Sequence, residues 1–117
     1  MLFHLARLLT DSEREERLTT RDRNRSLEVY ASKAKSACYV DSTSEKTMGT
    51  LACFQAFSGY SESAGRSWQD KLESIRESEI AEIINRVPQR RMSDISKRFT
   101  LELLNTNKAR ILAKETL

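Results

Sequence analysis

The stretch that decides the fold is SDISKRFTLELLNTNKARIL, residues 93–112. Its apolar residues return at intervals of three and four, which is the spacing of one face of an α-helix. The stripe consists of Ile95, Phe99, Leu103 and Leu104, and it is extended by Ile111 and Leu112. Ser93 or Asp94 is placed to cap the first turn, because a short polar side chain can accept a hydrogen bond from a free backbone N–H group there. The pattern predicts a long helix that packs through its apolar face.

A second helix is predicted just before this one, and it ends at the only proline of the chain, Pro88. Its apolar residues are Ile80, Ile83, Ile84 and Val87. Ser78 is its expected N-cap. Because a proline disfavours helical backbone at the preceding residue, the helix should stop at Val87. Residues 88–93 then form the bend between the two helices.

The first half of the chain also predicts helices. Residues 2–9 are crowded with apolar side chains, and Thr10 with Asp11 can cap the charged segment that follows. A stripe at helical spacing then predicts a core-facing helix up to about residue 37, with its start near Thr20 and Asp22. The members of that stripe are Leu27, Tyr30, Ala34 and Ala37. Residues 40–49, rich in serine and threonine, predict a loop.

The middle of the chain predicts a short, deeply buried helix, a second loop and a further helix. The first is TLACFQAF, residues 50–57, and the loop is SGYSESAG, residues 58–65. The further helix carries Trp68, Leu72 and Ile75, with Ser67 as its N-cap.

The composition agrees with a helical protein, since three glycines and one proline are too few for the many turns of a sheet protein. A chain of 117 residues fits one domain. We therefore predict an all-α fold: a single compact domain of about five helices spanning residues 1–117. One core should be formed by Phe54, Phe57, Trp68, Leu72, Ile83, Phe99 and Leu103.

The basic residues concentrate in the last third of the chain. The net charge is +3, but residues 86–114 hold eight Lys and Arg residues against two acidic ones. The densest cluster, a candidate site for an anion or a partner, comprises Arg86, Arg90, Arg91, Lys97 and Arg98. Arginines beside a helix N-terminus favour phosphate, so this region could bind nucleic acid. A proline-containing connector of about five residues, however, differs from the tight turn of a helix-turn-helix motif and is typical of a plain helix junction.

Several function classes find no support in the sequence. The single histidine, His4, has no cysteine nearby with which to build a zinc site, and no phosphate-binding or hydrolase motif occurs. We therefore expect no enzyme activity, no cofactor and no metal. Cys38 and Cys53 are too few for a disulfide scaffold, so we expect free thiols in a reducing environment. No segment has the character of a membrane span or a signal peptide, and we expect a cytoplasmic protein without a membrane partner.

Residues 68–112 contain, in this order, Trp68, the apolar residues 80–87, Pro88, the MSD cap at residues 92–94, Phe99 and NKARIL at residues 107–112. In this order of features the segment resembles the C-terminal helical portion of HipA-type serine/threonine kinases. The family's ATP-binding and catalytic motifs belong to a larger α/β body, for which this chain is too short. The resemblance therefore implies a detached or truncated helical lobe without kinase activity of its own.

Together these observations predict a small, non-catalytic helical protein that acts through protein–protein interaction. Two alternatives stay open: a nucleic-acid-binding regulator that uses the basic residues 86–114, and the inactive HipA-type lobe. The sequence names no partner.

Overall fold

The computed structural model describes residues 9–113, and within them the chain is helical, as predicted. Residues 9–113 contain six α-helices, five of which are seven residues or longer, in agreement with the prediction of about five. In chain order they are α1 (Asp11–Thr19), α2 (Leu27–Ser32), α3 (Thr50–Tyr60), α4 (Glu62–Ser74), α5 (Glu77–Asn85) and α6 (Asp94–Leu112). A 3-10 turn, Arg23–Arg25, precedes α2. The helix predicted at residues 2–9 lies almost entirely outside the described residues.

The long C-terminal helix organises the molecule. As predicted, α6 begins after Ser93, whose side chain accepts from the backbone N–H of Ser96 at 3.1 Å. It packs against α1, α2, α4 and α5, while α3 packs against α4. A helix of 19 residues is about 28 Å long, so it offers several neighbours room along its sides.

Polar side chains of α4 and α6 reinforce their packing. Gln69 Nε2 donates to the carbonyl oxygen of Ile111 at 3.2 Å. Lys108 Nζ donates to the carbonyl oxygen of Ile75, just beyond the end of α4, and to that of Glu73 at 3.5 Å. The carbonyls at a helix C-terminus lack partners within the helix and carry partial negative charge, so an ammonium group there is favourable.

The N-terminal helices follow local capping rules, although α2 is shorter than predicted. The expected cap at Thr10 is present, because its hydroxyl accepts from Glu13 N while the Glu13 carboxylate accepts from Thr10 N. The cap of α2 is Ser26, not Thr20 or Asp22. The helix stops at Ser32, so the prediction that Ala34 and Ala37 continue it is wrong. The chain there pairs with residues 48–50 instead, which takes it out of helical geometry.

The prediction of a loop at residues 58–65 is also wrong, because α3 continues to Tyr60 and α4 begins at Glu62. Ser61 alone separates them, and its side chain, not that of Ser67, caps α4. The small residues of this segment serve helix packing. A Cβ atom at Gly65 would lie 2.8 Å from the Cβ of Ser58, so only glycine permits this approach of the two helices.

The predicted phase break after Ile75 is present, and α5 ends at Asn85, two residues before the predicted end at Val87. The N-cap is Arg76 instead of Ser78. Its backbone N–H donates to the Glu79 carboxylate at 3.1 Å, and its guanidinium pairs with the same group at 2.9 Å. The Glu79 carboxylate thus satisfies the N–H of the N-cap residue, but the Arg76 side chain accepts no hydrogen bond from the first turn as the expected serine would have done.

The core is smaller than the predicted one. Among the described residues, the buried hydrophobic side chains are those of Leu27, Ala31, Ile84 and Phe99. The prediction that Phe99 belongs to the core is therefore confirmed. The side chains of Phe54, Leu72 and Leu103 are half-buried. Phe57, Trp68 and Ile83 were wrongly assigned to the core, since each of these side chains is exposed. On α5 it is Ile84 that is buried, and Ile83, one position earlier, points away from that side.

Candidate functional site

The predicted basic cluster lies at the corner between α5 and α6. Residues 88–92 turn there, with the backbone N–H groups of Arg91 and Met92 donating to the carbonyl oxygen of Pro88 at 2.8 and 3.1 Å. Arg90 and Arg91 are exposed on this turn. The structure thus places both arginines at the helix junction, as the position of the proline indicated.

The other three cations of the cluster have acidic neighbours. Arg86 forms an ion pair with Glu82, one turn earlier on α5, at 2.5 Å. Lys97 and Arg98 line a cleft between α5 and α6 that is also lined by Asp94. Acidic side chains therefore interleave with the basic ones, and the five cations do not form one uninterrupted positive face.

The N-terminus of α6 has little room for an anion. Ser93 Oγ already accepts from Ser96 N. In the amide orientation that satisfies both groups, Gln89 accepts from Asp94 N at 3.3 Å and donates to Asp94 Oδ1 at 3.0 Å. The Ser93 hydroxyl also lies beside the carboxylate of Asp11 on α1 and lowers the pKa of Asp11, followed by the effect of Arg14. A bound phosphate would have to displace these groups and tolerate the Asp11 charge.

A different surface is notable for its exposed aromatic side chains. On α3, the side chains of Phe57 and Tyr60 are 60% and 87% exposed, and their ring centroids lie 6.3 Å apart. We call these two residues the aromatic pair. On the next helix, Trp68 is 63% exposed, and the Lys71 ammonium lies 4.6 Å from its ring centroid. Single exposed apolar residues are common, but neighbouring exposed aromatics are typical of binding surfaces.

The aromatic pair is exposed because of how α3 and α4 meet. They pack closely at Ser58 and Gly65, two small residues. Phe57 is one position from Ser58, so it projects about 100° away from the contact, and Trp68 lies on the flank of Gly65. The sequence pattern did not reveal this surface, because it assigns Phe57 and Trp68 to the core and Tyr60 to a loop. The small residues at 58, 59 and 65 were the available signal, but they were interpreted as a loop.

Neither metal binding nor membrane spanning has a visible basis in the described structure. Within residues 9–113, no three or more histidine, cysteine or acidic side chains are grouped so that they could hold a metal ion. Over the same residues, no helix combines the length and apolar character needed to cross a membrane. The chain matches no protein-family model, and no curated protein or solved structure matches it significantly.

Proposed function

We propose that this protein is a non-catalytic helical module that binds a partner protein through the aromatic pair, Phe57 and Tyr60. The observation that carries the proposal is the exposure of these two neighbouring rings on one helix. Aromatic side chains are enriched at protein interfaces, because they bury a large area and lose little conformational freedom on binding. Their exposure in the unbound chain costs hydration free energy that a partner would recover.

The composition of α3 supports this proposal. The helix has the sequence TLACFQAFSGY, with no charged residue, whereas charged residues make up 32% of the chain. Depletion of charge is characteristic of the centre of a protein interface. The matching partner surface would be an apolar groove that admits both rings and offers a hydrogen-bond acceptor to the Tyr60 hydroxyl.

The two alternatives lead to distinguishable expectations. Nucleic-acid binding through residues 86–114 would depend on Arg90 and Arg91 and would weaken steeply with salt. The acidic neighbours at Glu82, Asp94 and Asp11 make this alternative less favourable than the aromatic pair. An inactive HipA-type lobe would be a special case of the leading proposal, since such a lobe also acts by packing against another protein.

Site-specific photo-cross-linking in cells tests the proposal. A photoreactive phenylalanine analogue is placed at position 60, and matched controls carry it at position 90 in the basic corner or at position 15 on α1, both exposed. We expect position 60 to cross-link a protein, with no loss of product after nuclease treatment. The partner so identified should then bind purified wild type, and the double variant Phe57→Ser/Tyr60→Ser should bind it at least about tenfold more weakly.

Two results would contradict the proposal. One is cross-linking from position 90 alone, with a product that nuclease removes, which would favour the nucleic-acid alternative. The other is undiminished binding of the identified partner by the double variant while its circular dichroism spectrum and melting temperature match those of the wild type.

A further inference from the structure

The chain on either side of the loop at residues 39–47 is held together by backbone hydrogen bonds. Lys35 and Gly49 form an antiparallel bridge. The carbonyl oxygen of Met48 accepts from both the backbone N–H and the hydroxyl of Ser36, at 2.8 and 2.9 Å. The N–H of Met48 in turn donates to the carbonyl oxygen of Cys38 at 2.8 Å. These bonds fix Cys38 beside the chain that enters α3.

The second cysteine lies in the first turn of that helix. The backbone N–H of Cys53 donates to the carbonyl oxygen of Gly49 at 2.9 Å, so Cys53 is tied to the residue that pairs with Lys35. The Cys53 thiol lies beside the Cys38 thiol, and both are half-buried and free. Residues 15 positions apart in the sequence are thereby brought close together by the fold, because the Lys35–Gly49 bridge and the Cys53–Gly49 hydrogen bond join their segments. Their spacing in the sequence is not a CxxC motif and gave no hint of this.

We propose that Cys38 and Cys53 are a redox-reversible pair that closes to an intramolecular disulfide. The oxidant is a low-molecular-weight disulfide such as oxidised glutathione. One cysteine thiolate attacks a sulfur of the oxidant, forms a mixed disulfide and releases one small thiol. The other cysteine then attacks the protein sulfur of the mixed disulfide and releases the second small thiol. The two cysteine protons end on the two released thiols, and the protein has lost two electrons and two protons.

The surroundings of Cys38 suit a slow, conditional switch. The neighbouring Cys53 thiol, followed by burial, raises the pKa of the Cys38 thiol above its ordinary value. A raised pKa keeps Cys38 protonated near neutral pH and limits its reactivity. In a reducing compartment both residues stay as thiols, as the sequence led us to expect, and the disulfide forms when the surroundings become oxidising. This inference does not depend on the proposed function.

The test is a redox titration of the purified full-length protein in glutathione buffers. At each potential, free thiols are trapped with an alkylating agent, and the tryptic peptides are identified by mass spectrometry. We expect a peptide pair linked through Cys38 and Cys53 in monomeric protein, with a mass two hydrogens below that of the thiols. Full alkylation of both cysteines in the most oxidising buffer would overturn the proposal, and so would only mixed disulfides or intermolecular bonds.

A second measurement detects the effect of the bond on the fold. The disulfide restrains the loop between Cys38 and Cys53 in the unfolded chain, so we expect the oxidised protein to melt about 5 °C or more above the reduced protein. Dithiothreitol should abolish the shift, and the control variants Cys38→Ser and Cys53→Ser should not show it. Disulfide formation should also accelerate as the pH rises, because more thiolate is then present. A lower melting temperature on oxidation would show that the two cysteines are not placed for this bond.

Discussion

At the scale of single residues, three side chains from three helices stack on one another and join the N-terminal helices to α6. The Arg17 guanidinium of α1 lies 4.8 Å from the centre of the Tyr30 ring on α2. The Tyr30 ring meets Phe99 of α6 edge to face, with centroids 5.6 Å apart. Phe99 is only 4% exposed. A cation over an aromatic face and an edge-to-face ring pair are both favourable, so this stack joins the N-terminal helices to α6.

Replacing Phe99 by alanine should therefore be severely destabilising. We expect the free energy of unfolding to fall by about 3–5 kcal/mol, since the change removes a buried ring and leaves a cavity. Urea denaturation followed by circular dichroism measures this. The matched control Phe57→Ala removes an exposed ring and should change stability by no more than about 0.5 kcal/mol. Equal effects of the two changes would contradict the assignment of core and surface.

Asp11 should make stability depend on pH in the acid range. The neighbouring Ser93 hydroxyl and Arg14 lower its pKa below the ordinary value of 3.8. Because the folded state then binds fewer protons than the unfolded state, this stabilisation is complete above the ordinary value and is lost as the pH falls through the folded pKa.

We thus expect the melting temperature of Asp11→Asn to be lower than that of the wild type at neutral pH. At about pH 2 the two melting temperatures should be equal. Thermal melts across this range measure the difference. Glu15→Gln removes an exposed charge from the same helix and serves as the control. A gap between Asp11→Asn and the wild type that persists unchanged at the acid end would mean that the lost hydrogen-bond geometry, and not the charge, explains it.

At the scale of helices, the decisive contact is the one between α3 and α4 at Ser58 and Gly65. Helices that meet through small side chains approach closely, so larger residues on either side remain outside the contact. The single connecting residue, Ser61, adds to this constraint, because it leaves little freedom in how the second helix leaves the first. Phe57 and Trp68 are thus exposed because the two helices cross at the small residues Ser58 and Gly65.

Gly65→Ala should accordingly destabilise the protein, although alanine is the better helix former. The added Cβ would lie 2.8 Å from Ser58 Cβ, and overpacking of this kind costs about 1–3 kcal/mol, against a gain in helix propensity of at most about 1 kcal/mol. Gly59→Ala is the matched control, since nothing lies within 4 Å of its added Cβ. We expect that variant to be unchanged or slightly more stable in urea denaturation. Stabilisation by both changes would rule out the close crossing.

At the scale of the whole molecule, two surfaces compete as the binding site: the basic corner and the aromatic pair. They differ in their charge surroundings, because the corner contains Glu82 and Asp94 among its cations, while α3 carries no charge at all. A partner that recognises one surface should be insensitive to changes in the other.

Two double variants separate these possibilities without disturbing the fold. Arg90→Ala/Arg91→Ala should melt at or slightly above the wild-type temperature, since basic residues beside a helix N-terminus are unfavourable by about 0.3–1 kcal/mol. Phe57→Ser/Tyr60→Ser should also remain folded, because both rings are exposed. We expect only the second variant to lose partner binding in calorimetric titration. Loss of binding by the arginine variant alone would show that the basic corner, and not the aromatic pair, binds the partner.

The sequence by itself determined the helical class and the features of the fold that depend on neighbouring residues. The caps at Thr10 and Ser93, the break after Ile75 and the end of α5 before Pro88 were all predictable, because each depends on a few adjacent residues. Phe99 was predictable as core because it lies in the apolar stripe of a helix whose start and length could be read from the sequence. The two arginines at the α5–α6 corner could be placed for the same local reason.

The tertiary structure decided which apolar helix faces are covered by neighbouring helices. It also decided that Cys38 and Cys53 lie side by side. A stripe of apolar residues shows that a helix has an apolar side, but the neighbour that covers it is distant in sequence. Ile84 is therefore buried and Ile83 exposed, although both belong to one stripe. The proximity of Cys38 to Cys53 and the exposure of the aromatic pair likewise depend on pairing between separate segments. Local propensity carries no information about such pairing, because its energy comes from contacts that exist only once the helices are packed.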